Sequence, residues 1–304
     1  MTVINKFLGY MIYFFLRAAY FFLKAVGKKK ARYIISKIFA VIGPFTKFNK
    51  RASYNINYIW PKLSEKKKQN ILLRMWETLG VNIGEFIFLG KYDPFLCKET
   101  KVVGKRLIEK IIKENQKKNK GIIFFSAHFG SWEKIPIVLN KLGLEILSIY
   151  RKSNNNLIDK FIQNIRSDFG NYTPKGDKGA KKIFLWLRKG KSVALLMDQK
   201  LNEGVKVNFL KKPAYTATAI AELAIRMNLD IVPIKIIRKS ANSTEIVFFN
   251  KIKLPKGKTE HQKKVRMILE SINLQISSWI KKNPEQWLWI HRRWHKSMYK
   301  KNSN

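Results

Sequence analysis

The sequence predicts an α/β fold, a mostly parallel central sheet flanked by helices, with an N-terminal hydrophobic membrane-associated helix. Three observations predict it. From Gly121 onward, short apolar runs of strand type alternate with stretches of helical period, the pattern of a parallel sheet covered by helices. Ahead of Gly121 the periodic segments are helical. The chain also opens on a strongly apolar run that differs from everything after it.

That opening run, residues 4–26, reads INKFLGYMIYFFLRAAYFFLKAV. On a helical wheel Lys6, Arg17 and Lys24 fall within about 20° of one another. Tyr10, Tyr13 and Tyr20 flank them, while Leu8, Met11, Ile12, Phe15 and Phe22 take the other side. An amphipathic helix of this kind suits a membrane interface, or a tilted anchor packed on the protein. Its longest uncharged stretch, Phe7 to Leu16, is too short to span a bilayer alone. No small-residue cleavage site follows; Lys28, Lys29 and Lys30 do, which argues against a signal peptide. These lysines, and further basic residues to Arg51, fit attraction to an anionic lipid surface. We divide the chain into an N-terminal amphipathic membrane anchor helix, 1–30, and a main domain, 31–304.

Ser64 is placed to cap a helix that runs through EKKKQNILLRMWETLG and stops near Gly80. A second apolar segment, Val81 to Leu89, follows, and Lys105 to Lys120 reads as a helix with a basic face. Strands are then expected at Ile122–Phe125, Ile146–Tyr150, Val193–Met197, Ile231–Ile237 and Glu245–Phe249. Helices are expected at Trp132–Leu142, Leu157–Phe169, Lys178–Lys189 and Thr216–Met227, the first three halted by Gly143, Gly170 and Gly190. Pro233 interrupts one strand and is expected where a ladder hydrogen bond is missing. The tail from Met298 to Asn304 reads as frayed.

Composition narrows the partners. The 304 residues hold 61 Lys and Arg against 20 Asp and Glu, a formal charge of +41. Such an excess asks for a polyanion, either nucleic acid or an anionic membrane. The lysines are spread along the whole chain. Cys97 is the single cysteine, which excludes an internal disulfide and a Cys-built zinc site.

In an open α/β sheet, ligands bind beyond the carboxyl ends of the strands. His128, Arg151 and Asp198 each follow closely on an expected strand. His128 lies in GIIFFSAHFGSWEK, Gly121 to Lys134, with Glu133 five positions on. In a continuous helix that spacing diverges by about 140°, so the two converge only if Gly130 turns the backbone. A carboxylate on the imidazole would hold one tautomer and make it a general base. A structural histidine, with Glu133 favoured by the helix dipole, accounts for the same segment taken alone. Arg151 and Arg166 are candidates for holding an anionic group, or else solvated arginines in a basic protein. Asp198 is a candidate for orienting a basic side chain or substrate hydroxyls, or else a turn-forming residue. His291 and His295 have helical metal-pair spacing but no apparent third ligand, so no metal is expected. Trp287, Trp289, Arg292, Arg293 and Trp294 read as an interfacial aromatic and basic patch.

Taken in order, these segments resemble the bacterial lipid A biosynthesis lauroyl/myristoyl acyltransferase family, within the glycerolipid acyltransferase-like superfamily. The resemblance covers nearly the whole chain. It rests on the N-terminal apolar helix, H-x-x-x-x-E as His128 to Glu133, YRKSNN with Arg151, the helix with Arg166, and MDQ with Asp198. The blocks VNFLKKPAYTATAIAELAIRMNLDIVPI and NPEQWLWIHRRW complete it. It implies that 31–304 is an acyltransferase domain moving a fatty acyl chain from acyl-carrier protein to a hydroxyl of a lipid A precursor. The setting would be the cytoplasmic face of a bacterial inner membrane. His128 would be the general base, supported by Glu133, with Arg151, Arg166 and Asp198 as substrate-binding residues. The expected partners are the acidic carrier protein, a phosphorylated lipid and an anionic membrane, with no nucleic acid and no cofactor. A relative acting on another lipid, such as a lysophospholipid, an aminolipid or a glycolipid, is the alternative. A non-enzymatic basic protein binding membrane or nucleic acid is a more distant one.

Overall fold

Alternation of buried faces along single strands shows how the sheet is covered. In β2 (Ile123–Ser126), Ile123 and Phe125 point to one apolar cluster and Phe124 to another, the period of two that a strand imposes. Such double burial needs helices on both faces, and the computed structural model of the chain has them. It describes residues 3–299 apart from 256 and 258; the end of the expected frayed tail lies outside the described residues.

The sheet has seven strands in the order β1-β9-β8-β2-β5-β3-β4. They are β1 (Thr100–Val103), β2, β3 (Ile146–Tyr150), β4 (Asn171–Pro174), β5 (Ser192–Leu196), β8 (Ile231–Arg238) and β9 (Thr244–Phe248). All neighbours are parallel except β8 and β9. Pro233 lies just before that antiparallel ladder begins at Ile234, where β9 asks for no N–H from it. A separate hairpin, β6 (Val205–Phe209) and β7 (Lys212–Thr216), turns through Leu210 and Lys211 at positive φ.

One face of the sheet is covered by α7 (Asp177–Arg188), α8 (Ala219–Met227) and α9 (His261–Lys282), with residues of α2 (Lys47–Ile59) and α3 (Glu65–Phe86) joining the same cluster. The other packs on α4 (Lys105–Gln116) and α5 (Ile135–Asn140). The remaining helix of the body, α6 (Asn156–Ser167), carries Arg166 and is capped by the Asn155 side chain, which accepts from the Leu157 and Ile158 N–H groups.

The N-terminal helix is longer than its apolar run predicts. α1 spans Val3–Ile42 and kinks at Gly27 (φ 82°, ψ 162°), so the boundary at residue 30 falls inside it, just past the kink. Tyr13 and Tyr20 turn inward onto Phe161 of α6, with ring centroids 6.3 and 5.5 Å away. Phe7, Phe14 and Phe15 face outward, each about two-thirds exposed or more at 66%, 65% and 72%. By length and composition the described part of α1 is long enough to cross a bilayer.

Gly80 does not stop α3, which runs on to Phe86. A Cβ at Gly80 or Gly84 would stand 2.6 or 2.5 Å from the carbonyl oxygens of Ile35 and Ala31 in α1. These glycines serve close helix contact rather than termination. The expected helix from Trp132 begins as a 3₁₀ turn, Trp132–Lys134, before α5. The expected interfacial patch is a correction: Trp287, Trp289, Trp294 and Arg293 are buried at 0 to 1% exposure, and only Arg292 of the five is exposed. Buried tryptophans need a partner for the indole N–H, and Trp287 and Trp289 have one.

Candidate active site

Strand order brings the first two site residues together. β2 and β5 are parallel neighbours in a register that pairs Ser126 with Leu196. His128 and Asp198 each sit two residues beyond that pair, so both emerge side by side at the carboxyl edge of the sheet. His128 Nδ1 is 2.9 Å from Asp198 Oδ1, and the His128 backbone N–H donates to Oδ2 at 3.0 Å. The Trp287 indole N–H donates to the same Oδ2 at 2.7 Å.

Asp198 is fully buried. Burial alone would raise its pKa, but His128, with His291 and the Trp287 N–H, outweighs this and holds the carboxyl well below the usual range. A carboxylate on Nδ1 makes that nitrogen the donor, leaving the lone pair on Nε2. His128 keeps 16% of its side chain exposed, enough to meet a reactant. Its carbonyl accepts the Leu288 N–H at 2.9 Å, so the ring is held by side chain and main chain together.

The expected support of His128 by Glu133 is not the arrangement found. The backbone does turn at Gly130, with φ +54°, yet the Glu133 carboxylate goes to Arg166, at 2.6 Å from Nη2 and 3.4 Å from Nε. The carboxylate on the imidazole is Asp198. Burial opposes the charge on Arg166 but Glu133 more than offsets it, so its pKa is raised. Its guanidinium lies over the rings of Tyr172, Phe86 and Tyr150 at 5.0, 5.7 and 5.9 Å. Arg151 follows directly on β3, on the far side of β5 from β2, and is exposed. The structure thus joins His128 to Asp198 and Glu133 to Arg166, and leaves Arg151 on the rim.

A family model described as bacterial lipid A biosynthesis acyltransferase matches residues 5–296. The chain belongs to that family. It is also similar to the lipid A biosynthesis lauroyltransferase of Escherichia coli strain K12, 23% identical over 245 residues, covering 79% of this chain and 76% of the relative.

In this acyltransferase the C-terminal segment packs against both site residues, His128 and Asp198. The Gln286 carbonyl accepts the Gly130 N–H, Trp287 reaches Asp198, and Leu288 reaches His128. His291 lies beside His128, with ring centroids 4.5 Å apart and the planes tilted by 55°. Burial, with His128 and Arg51, lowers its pKa to about 3 against the pull of Asp198, so this second imidazole is neutral. Among the described residues no group of three or more His, Cys, Asp or Glu is arranged to hold a metal ion. His295, four positions after His291, bonds Ser297 instead of sharing a ligand with it.

Sequence reasoning missed Trp287 and His291 as site residues. Both lie in a block whose tryptophans and arginines were assigned to an interface. Nothing in the linear order joins Trp287 to Asp198, 89 positions away.

Proposed function

We propose that this chain is a membrane-associated O-acyltransferase that moves a fatty acyl chain from acyl-carrier protein to a hydroxyl of a lipid A precursor. The observation that carries the reading is the His128–Asp198 pair, held at the ends of adjacent parallel strands, with Nε2 in no hydrogen bond among the described residues. Nε2 takes the proton of the acceptor hydroxyl as its oxygen attacks the thioester carbonyl. The C–S bond then breaks and the imidazolium returns the proton to the leaving thiolate. Asp198 keeps the ring in one tautomer and faces it with negative charge as the proton arrives. Glu133 stays in the site as the partner of Arg166, so its role is to hold a cation rather than the base. Arg151, exposed on the rim, suits an acceptor phosphate, and the Arg166–Glu133 pair lines the approach.

Two apolar surfaces support membrane association. One is the outward face of α1. The other is the end of that helix, where Val41, Ile42 and Phe45 are 66%, 57% and 88% exposed, beside Lys47 and Lys50. Exposed apolar groups rimmed by lysine suit an anionic bilayer, and the charge of +41 suits both it and an acidic carrier.

The test is acyl transfer in membranes holding wild type or His128→Ala, with carrier-protein thioesters of several lengths, a panel of lipid acceptors and a mass-spectrometric readout. Transfer to a lipid A precursor, reduced by about 10²- to 10⁴-fold in the variant, is expected. Transfer to another lipid alone would replace the acceptor and keep the mechanism. Full activity in His128→Ala would overturn the base.

A further inference from the structure

Residues 127–131 belong to no helix or extended strand; their one ladder contact is an isolated bridge from Phe129 to Trp287. Their shape therefore depends on what pins them. On one side the Gly130 N–H donates to the Gln286 carbonyl at 2.8 Å, and the Ser131 N–H to the Ile236 carbonyl at 3.2 Å. On the other side stands α3. The Asn82 side-chain amide donates to the Gly130 carbonyl at 2.6 Å and accepts from Ser131 Oγ at 3.3 Å. Nearly one helical turn later, the Glu85 carboxylate takes Lys134 Nζ at 3.0 Å and Arg238 Nη2 at 2.6 Å, and pairs with Arg32 of α1 as well. The same Arg238 nitrogen reaches Ser131 Oγ at 2.6 Å and Asn82 Oδ1 at 2.8 Å. Asn82 and Glu85 thus grip both ends of the segment from Gly130 to Lys134. That segment carries Glu133 and begins two residues after His128.

The charges make the arrangement costly to keep for packing alone. Arg32, Lys134 and Arg238 are buried, and they converge on a single buried carboxylate. Burial would raise the Glu85 pKa, but Arg238, Lys134 and Arg32 outweigh this and keep it ionised. A buried ion cluster is seldom the most stable filling for its volume. It does constrain geometry, because Arg238 and Glu85 each hold several partners at once, from α3, the turn and the sheet.

We propose that Asn82 and Glu85 are positioning residues that set the turn between His128 and Glu133, and with it the attitude of the imidazole, without touching substrate. The turn is fastened to the N-terminal helical layer as well as to the sheet, since α3 meets α1 backbone to backbone at Gly80 and Gly84. The effect on rate rests on the acyl-transfer reading; the effect on the turn does not.

The test uses the full chain as wild type, Asn82→Ala, Glu85→Gln and, as control, Glu99→Gln. Glu99 is 35% exposed and reaches the cluster only by a long 3.4 Å contact to Arg32, on the nitrogen that does not bind Glu85. Steady-state acyl transfer is measured together with thermal unfolding and amide hydrogen exchange. Exchange is read in a peptide covering 127–134 and, for comparison, one covering the 205–216 hairpin. Asn82→Ala is expected to lower kcat by about 10- to 100-fold, with KM within about twofold. Exchange should quicken at 127–134 and stay unchanged at 205–216. Glu85→Gln should act in the same direction and Glu99→Gln in neither assay. Asn82→Ala alters no charge, so it carries the test even where Glu85→Gln fails to fold. A folded Asn82→Ala protein with wild-type kcat would overturn the proposal, as would equal quickening in both peptides. Wild type that transfers to no acceptor would sink the acyl-transfer reading instead; unchanged exchange at 127–134 would then overturn the positioning on its own.

Discussion

Asp198 receives hydrogen bonds from a ring, a backbone and an indole, and each constrains something different. The imidazole bond selects the tautomer, the His128 N–H fixes the main chain, and Trp287 fixes the carboxylate itself. A hydrogen bond to a buried charge is worth about 1.5–3 kcal/mol. Trp287→Phe keeps the ring and deletes the donor, so it should lower kcat by roughly 10- to 100-fold. Initial rates at saturating acceptor check this, with a single cooperative unfolding transition, shifted to lower temperature, as the fold control. The fate of Glu133 is instructive at the same scale. It is the carboxylate nearest to His128 in sequence, yet the partner comes from 70 positions away. His128 and Asp198 were each legible as polar residues ending apolar strands. Their contact was not, because it depends on β2 and β5 being neighbours, and strand order is absent from local pattern.

Among the elements, the contact between α1 and α3 makes the sharpest prediction. Gly80 and Gly84 let the two helices touch, where added methyls would meet backbone 2.6 and 2.5 Å away. In an isolated helix Gly→Ala is favourable by about 1 kcal/mol per site. Here the double change Gly80→Ala with Gly84→Ala should be destabilising overall, by about 1–3 kcal/mol. A shift of the urea midpoint to lower concentration would confirm it, whereas a rise would mean that the helices separate freely. Periodicity revealed the central strands and most helices. It passed over β1 and β4, which are four-residue edge strands of mixed burial, too short for alternation to register. The period of α9 does stand in the sequence: Val265, Ile268, Leu269, Ile272, Ile276 and Ile280 recur at helical spacing and are all buried.

For the molecule as a whole, titration ties the site to stability. Burial, with His128 and Arg51, takes His291 from an ordinary 6.5 down to about 3. Between those limits the unfolded chain binds a proton that the folded chain refuses. This contribution is therefore complete above about pH 6.5 and is lost as pH falls towards 3, at about 1.4 kcal/mol per pH unit. Asp198 and Glu85, both held below the usual carboxylate range, add to the loss at lower pH. Urea unfolding at pH 7, 6 and 5 should show a steady decline, and His291→Gln should flatten it; an unchanged slope in the variant would assign the proton elsewhere.

By itself the sequence determined the α/β class, the helical N-terminal region, the charge of +41 and the placing of His128, Arg151 and Asp198 at strand ends. All of these follow from hydrophobic period and composition, which are local properties of the chain. Only the tertiary structure decided that Asp198 rather than Glu133 meets His128, that Glu133 is bound to Arg166, and that the C-terminal tryptophans are buried, Trp287 against Asp198. Those outcomes turn on which strands lie side by side and on which buried charge has a partner within reach, and both are settled by packing between segments remote in sequence.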